Sequence, residues 1–325
     1  MLQFSGSEYY SNENVPDKPV LPNDSTVMPS MLYIRAQSSL FWEVCTLAVS
    51  LVGSKPYIIP SRPDSLIRLN TFLGANEPDI DQIVKEIREN VALYSAVMAI
   101  ANSPAFSGSQ QINALEQAIM RVGLIRLKMI IQLVELKNSL SKAGSLERFW
   151  DTASEVAEIA SYLTRKLCNA NGDDAYTLGM IHDCGVPLMI ESFSDYKQFL
   201  KKVNGANLHS LYEMETERYD CDHFAIGGLI AEKWSMGSNI ADAIRLQPNY
   251  LNAVAGNTQT NEKTVTLLCN LLLAKEISKV YRKYWRIDDR SPLCFQIRPV
   301  LDFLGISEVD YADIRDDLMD DLESR

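Results

Sequence analysis

Three histidines, His182, His209 and His223, are all that this 325-residue chain offers for imidazole chemistry. The adjacent pair His182-Asp183 stands out, within the run Leu178-Gly179-Met180-Ile181-His182-Asp183-Cys184-Gly185. An imidazole beside a carboxylate can bind a metal or move a proton. The flanking residues are apolar, so the run predicts a buried helix over Asp174 to Ile190 with the pair in its middle. Two polar side chains placed there need partners or a metal, because burying them unpaired is costly. Two readings stay open: a buried, hydrogen-bonded pair that joins helices, or a residual metal or phosphate pocket. His223 has the same two readings, and His209 begins a polar helix and is expected in solvent. No Gly-x-Ser-x-Gly elbow, no phosphate-binding Gly-x-x-x-x-Gly-Lys loop and no His-Glu-x-x-His zinc helix occurs. The six cysteines have no Cys-x-x-Cys pair and read as reduced core thiols of a cytoplasmic protein. Cys184 follows His182 by two residues and Cys221 precedes His223 by two. On a continuous helix such positions point about 200° apart and do not converge on zinc.

The elements that must position these groups read as helices. Val156, Ile159, Ala160, Leu163 and Leu167 recur at offsets 0, 3, 4, 7 and 11, as do Ile80, Ile83, Val84, Ile87 and Val91. Pro78 is expected as a first-turn proline of the latter. Further helices are expected over Val91 to Ala101, Ile112 to Val122, Leu124 to Leu140, Asp195 to Val203, Leu208 to Arg218, Phe224 to Trp234, Glu262 to Trp285 and Pro292 to Leu304. Ser238 reads as the N-cap of Ile240 to Leu246, and Pro248 to Asn261 as an Asn-rich loop. Ser307-x-x-Asp310 is a capping box for a last helix burying Tyr311, Ile314, Leu318 and Leu322. No run of alternating strands is found. The expected class is all-α.

Composition narrows the partners. Of the formal charge of −11, the eight acidic and two basic residues of Ser307 to Arg325 supply a net six. That balance opposes nucleic-acid binding, which rests on clustered cations. Lys275, Lys279, Arg282, Lys283 and Arg286 do interleave with Tyr281, Tyr284 and Trp285, a pattern that can stack bases. The expectation is instead that these cations complement a helix C-terminus while the aromatics face the core. Met1 to Ser30 is polar and is expected to be a flexible tail. Met31 to Val52 carries Leu40, Phe41, Val44, Leu47, Ala48 and Leu51 on one helical stripe, for capping the body or for pairing in a homodimer. Arg35 and Glu43 interrupt it too much for a membrane span, so no membrane association is expected.

Several stretches together resemble a known family. Leu178 to Gly185 resembles the motif of the HD superfamily of metal-dependent phosphohydrolases. Ile100-Ala101-Asn102-Ser103-Pro104-Ala105-Phe106, the helix ending Ala118-Ile119-Met120-Arg121-Val122-Gly123, Phe149-Trp150, and Asp222-His223-Phe224-Ala225-Ile226-Gly227 with Glu232-Lys233-Trp234 resemble the HDOD domain, the HD-related output domain of bacterial signalling proteins. These motifs run in order from about Pro60 to Gln247, and Asn102, Ser103, Gly123, Trp150, Gly185, Gly227 and Trp234 are their marker positions. The resemblance implies a two-lobed helical architecture: 1–54 tail and amphipathic helix, 55–144 N-terminal lobe, 145–285 HD-like lobe, 286–325 C-terminal helices with the acidic end.

The resemblance also implies where catalytic relatives hold divalent metal: an early histidine, the His-Asp pair and a late aspartate. Here the early position falls on Thr152, paired histidines become Leu246-Gln247, and the late aspartate becomes Lys275. A lysine there would repel the metal whose ligand it replaces. His182, Asp183 and His223 remain, with Thr152, Gln247 and Lys275 completing a vestigial pocket. The expectation is no catalytic residue, no metal and no cofactor. The chain is expected to act as a non-catalytic output module that binds another protein, such as a signalling kinase or response regulator. The alternative is a divergent metal-dependent phosphohydrolase acting on a nucleotide or phosphodiester.

Overall fold

Side-chain caps set several helix starts. Asp79 accepts from the Gln82 N–H at 3.1 Å, Asn90 from those of Ala92 and Leu93, and Asp222 from that of Ala225 at 2.7 Å. The computed structural model describes residues 56–102, 111–140, 146–203, 205–285 and 296–323, and no strand occurs among them. The protein is all-α. The expectations for 1–30, 31–52, Ser103 and Arg286, and for the side chains of Arg282, Lys283, Tyr284 and Trp285, lie outside the described residues.

After an extended strap over 56–62, α1 (Asp64–Leu73), α2 (Ile80–Arg88), α3 (Val91–Ala101), α4 (Leu115–Val122) and α5 (Leu124–Ser139) pack on one another. Leu66, Leu69, Ile83, Ile87, Leu93, Val97, Leu127 and Ile131 fill their core. Asn102 ends α3 by donating to the carbonyls of Met98 and Ile112 while accepting from the Ile112 N–H at 2.8 Å. That bridge holds Ile112 in the connection, so α4 starts at Leu115 rather than at Ile112 as the periodicity suggested. Gly123, at φ +80°, turns the chain from α4 into α5.

The second group comprises α6 (Glu147–Cys168), α7 (Asp173–Ile181), α8 (Gly185–Ser192), α9 (Tyr196–Lys202), α10 (Leu208–Tyr219), α11 (His223–Lys233) and α12 (Ser238–Leu246). A 3-10 turn (Gln247–Asn249) leads to α13 (Tyr250–Val254), α14 (Glu262–Trp285), α15 (Ile297–Leu304) and α16 (Glu308–Glu323). The stretch taken for a loop from Pro248 therefore begins with helical turns, the proline sitting in the first turn where its missing N–H costs nothing. Pro78 lies outside its helix, which Asp79 caps. Ser238 is already helical, and Gly237 at φ +105° is the residue before it. Ser307 caps α16 as expected, its Oγ accepting from the Asp310 N–H at 3.1 Å.

α14 packs between α6, α7, α12 and α15, and the Tyr311 hydroxyl of α16 donates to buried Glu276 on it. The two helical groups meet at Trp234. Its carbonyl accepts from Gln132 of α5 at 3.0 Å, and its Nε1 donates to Pro60 O at 3.1 Å. Lys233 Nζ donates to Ile59 O and Arg62 to Ser235 Oγ, so the strap follows the end of α11. No helix among the described residues is long and apolar enough to cross a membrane.

Candidate functional site

The single helix expected over Asp174 to Ile190 is broken in two. α7 stops at Ile181, α8 starts at Gly185, and His182, Asp183 and Cys184 form the turn between them. Backbone packing accounts for the glycine that opens α8: a Cβ on Gly185 would stand 2.0 Å from His223 O and 3.0 Å from Gly227 N. Only glycine lets α8 approach α11 this closely, and the approach brings His223 to the turn.

Asp183 is the hub. Its Oδ2 lies 3.2 Å from His182 Nε2, and its Oδ1 lies 3.9 Å from His223 Nε2 and 3.4 Å from Lys275 Nζ. Gln247 closes a ring, its Oε1 accepting from Lys275 Nζ at 2.8 Å and its Nε2 donating to His182 O at 2.9 Å. Five of the six pocket residues expected from the sequence thus meet. Thr152 does not join them, because its hydroxyl donates to Arg148 O one turn back in α6. His209 is exposed beside Glu213, as expected.

Both buried rings are held from behind. His182 Nδ1 donates to Gly179 O at 2.6 Å, and His223 Nδ1 donates to Glu215 Oε2 at 2.7 Å. Glu215 is 0% exposed and also accepts from the His223 N–H at 3.0 Å and from the Tyr196 hydroxyl. Burial, and then the Glu215 charge, push the Tyr196 hydroxyl far above its ordinary range, which keeps it a donor. Neither Glu215 nor Tyr196 was singled out from the sequence. A signal existed: Leu208, Leu211, Tyr212 and Tyr219 define a stripe at offsets 0, 3, 4 and 11, and Glu215 sits on it at 7.

The remaining marker positions are structural in their contacts. Trp150 is buried edge-on to Phe149, with Lys137 over its ring, and Gly227 backs the Gly185 contact. Cys184 points at Gly227 O at 3.7 Å and Cys221 at Met189 Sδ at 3.6 Å. Both contacts are with groups other than the histidines.

Burial by itself would raise the Asp183 carboxyl; His182, Lys275 and His223 outweigh it and hold that carboxyl well below the usual carboxylate range. A depressed folded-state value adds stability above the unfolded value, and this is lost as pH falls through the folded one. Asp183→Asn is therefore expected to cost about 2 kcal/mol at neutral pH. In urea titrations its deficit against the wild type should shrink below about pH 4, the unfolded carboxylate range. A deficit that widened on acidification would contradict this assignment.

Divalent ions need converging lone pairs. Among the described residues no three His, Cys, Asp or Glu side chains are arranged to hold one. The Lys275 ammonium lies against the Asp183 carboxylate instead. The residues present do not fit the divalent ion that the resemblance carries with it.

The profile of the HDOD domain matches residues 59–250. The chain is 23% identical over 233 residues to an uncharacterized protein of Treponema pallidum (strain Nichols), covering 70% of this chain and 43% of that one. It thus spans less than half the length of that curated relative. A solved HDOD domain protein of unknown function from Geobacter sulfurreducens has a TM-score of 0.58 at 20% identity, over 90% of this chain and 96% of that one. A candidate phosphohydrolase from Shewanella amazonensis SB2B also has a TM-score of 0.58 at 20% identity, over 80% and 90% of the two chains. At such identities the likeness is one of fold.

Proposed function

This chain belongs to the HDOD domain family, matched over 59–250, and from that premise we propose that it is a non-catalytic signal-transduction module that acts by binding another protein. The observation that carries the reading is the Lys275 ammonium on Asp183, locked there by Gln247. Hydrolysis by a metal-activated water needs a metal with an open coordination position, and that cluster leaves none. A fold kept without that chemistry still offers a rigid two-part helical surface. The partner in this reading is a signalling kinase or response regulator, met in the cytoplasm.

A second reading has one observation in its favour. The Asp183 side chain keeps 28% of its surface exposed, so a small phosphate ester could reach it. That reading is a divergent phosphohydrolase acting on a nucleotide or phosphodiester.

The test has two arms. Purified protein is incubated with cyclic and linear nucleotides in the presence of Mn²⁺, Fe²⁺ or Ni²⁺, beside His182→Ala. Turnover no greater than that of the variant is expected; turnover that the variant loses would replace the first reading with the second. In parallel, kinases and response regulators of the same genome are titrated against the chain. Saturable binding to one of them is expected, and its absence across the set would leave the binding reading without support.

A further inference from the structure

We propose that the cleft beside the strap is where this chain grips its partner, taking a peptide segment that carries an apolar anchor between a cationic and an acidic residue. The inference deepens the partner-binding reading and rests on it. The cleft holds about 500 Å³, and its lining includes Ile58, Ile59 and Pro60 of the strap, Leu188 and Glu191 of α8, and Lys233 of α11. Ser139, the last residue of α5, lines it as well, so the cleft lies where the two helical groups meet. Binding clefts of about 300–1,000 Å³ are common at such junctions. None of these side chains belongs to the Asp183 cluster.

Floor and rim differ in chemistry. Leu188 is 4% exposed and supplies an apolar floor, whereas Ile58 is 86% exposed and stands at the lip. A single isoleucine in water means little by itself; beside an apolar cleft it extends the area that a partner can cover. Because Ile58 stands in water, the cleft is open on that side, and a chain can run across it. The charges come from two helices. Glu191 is exposed and lies one turn beyond Leu188 on the same face of α8. Among the described residues nothing pairs with its carboxylate. Lys233 Nζ is fixed by Ile59 O at 2.8 Å, which spends one of its three donors and leaves two. A segment with one sign of charge meets repulsion at Glu191 or at Lys233. A segment with both signs, set on either side of an apolar anchor, meets an opposite charge at each and can enter in one direction only.

A phage-displayed library of random short peptides, selected on the intact chain, tests this. The recovered peptides should share an apolar residue with Lys or Arg on one side and Asp or Glu on the other. Selected on Glu191→Lys, they should exchange the cation for an acid. Ile58→Asp changes a side chain that already stands in water, so its melting temperature should match wild type, while the best peptide binds about tenfold more weakly or worse. A benzophenone side chain placed at position 58 should crosslink to that peptide under light. The proposal is overturned if no peptide is enriched, if the recovered charges ignore the change at 191, or if Ile58→Asp binds like wild type. It is equally overturned if the crosslink runs to another part of the same chain or to a second copy, either of which would then be the occupant. A kinase or response regulator that binds wild type and Ile58→Asp alike would sink this inference and leave the partner-binding reading standing. Peptides recovered as expected, with no kinase or response regulator bound, would support the cleft and count against those partners.

Discussion

Replacing Gly185 by alanine is expected to lower the melting temperature by about 10 °C. The added methyl would lie 2.0 Å from the His223 carbonyl oxygen and 2.8 Å from its carbon. Those are backbone atoms at the start of a helix, so no rotamer change relieves the overlap. α8 and α11 must separate, and overpacking of this severity costs about 3 kcal/mol. In a helical body of this size each kcal/mol moves the midpoint by about 2–4 °C. Gly227→Ala serves as the control. Its new methyl would meet the Ile244 Cγ2 methyl at 3.0 Å, a contact relieved by a shift of a few tenths of an ångström rather than by parting two backbones. Circular dichroism melts of the two variants should therefore differ widely. Equal and small losses would mean that the helices part at little cost.

Glu215→Ala is expected to be the most damaging single polar change, at about 4 kcal/mol. It removes the acceptor for three buried donors: the His223 N–H, the His223 Nδ1–H and the Tyr196 hydroxyl. Each donor left without a partner costs about 1–3 kcal/mol, and the vacated space adds a cavity. Glu215→Gln keeps one acceptor oxygen but turns an NH₂ towards groups that also donate, so about half that loss is expected. Urea denaturation at neutral pH measures both. A loss below about 1 kcal/mol for alanine would mean that water takes the carboxylate's place.

The cluster was legible in the sequence to the extent that its members broke a pattern. His182-Asp183 interrupts an apolar run and so stood out as a polar pair needing partners, whereas Lys275 was reached through the resemblance, as the residue at the late aspartate's position. Glu215 broke its stripe too, but amid flanking Glu213 and Glu217 it looks like one more solvent-facing acid. Thr152 was placed by counting from Trp150, and a count along one helix does not say which way a side chain turns. The break between α7 and α8 had a signal that the apolar pattern overrode: Pro187 cannot donate to the Asp183 carbonyl in a continuous helix and is tolerated in the first turn of a new one, and Gly185 lies beside it. The close passage of α11, a contact 38 to 42 residues away in sequence, as between Gly185 and His223 or Gly227, could not be read from the sequence. Periodicity reports a face to be buried and is silent on what buries it. The same silence cost the short helix α13, whose five residues are too few to show a period.

The strap has a consequence for the order in which the chain assembles. Its bonds to Lys233 and Trp234 join residues 174 apart, whereas the Glu215–His223 bond joins residues 8 apart. Bringing the more distant ends together costs about 3 kcal/mol more in chain entropy. Such a contact is rewarded only after the intervening helices have shortened the path between its ends. The strap is then a late clasp, closing on α11 once its far side has formed. By the same reasoning it is the part that a thermal fluctuation opens at least expense, releasing Trp234 Nε1 without dismantling the helices behind it. Synthesis delivers this segment early, and folding uses it late.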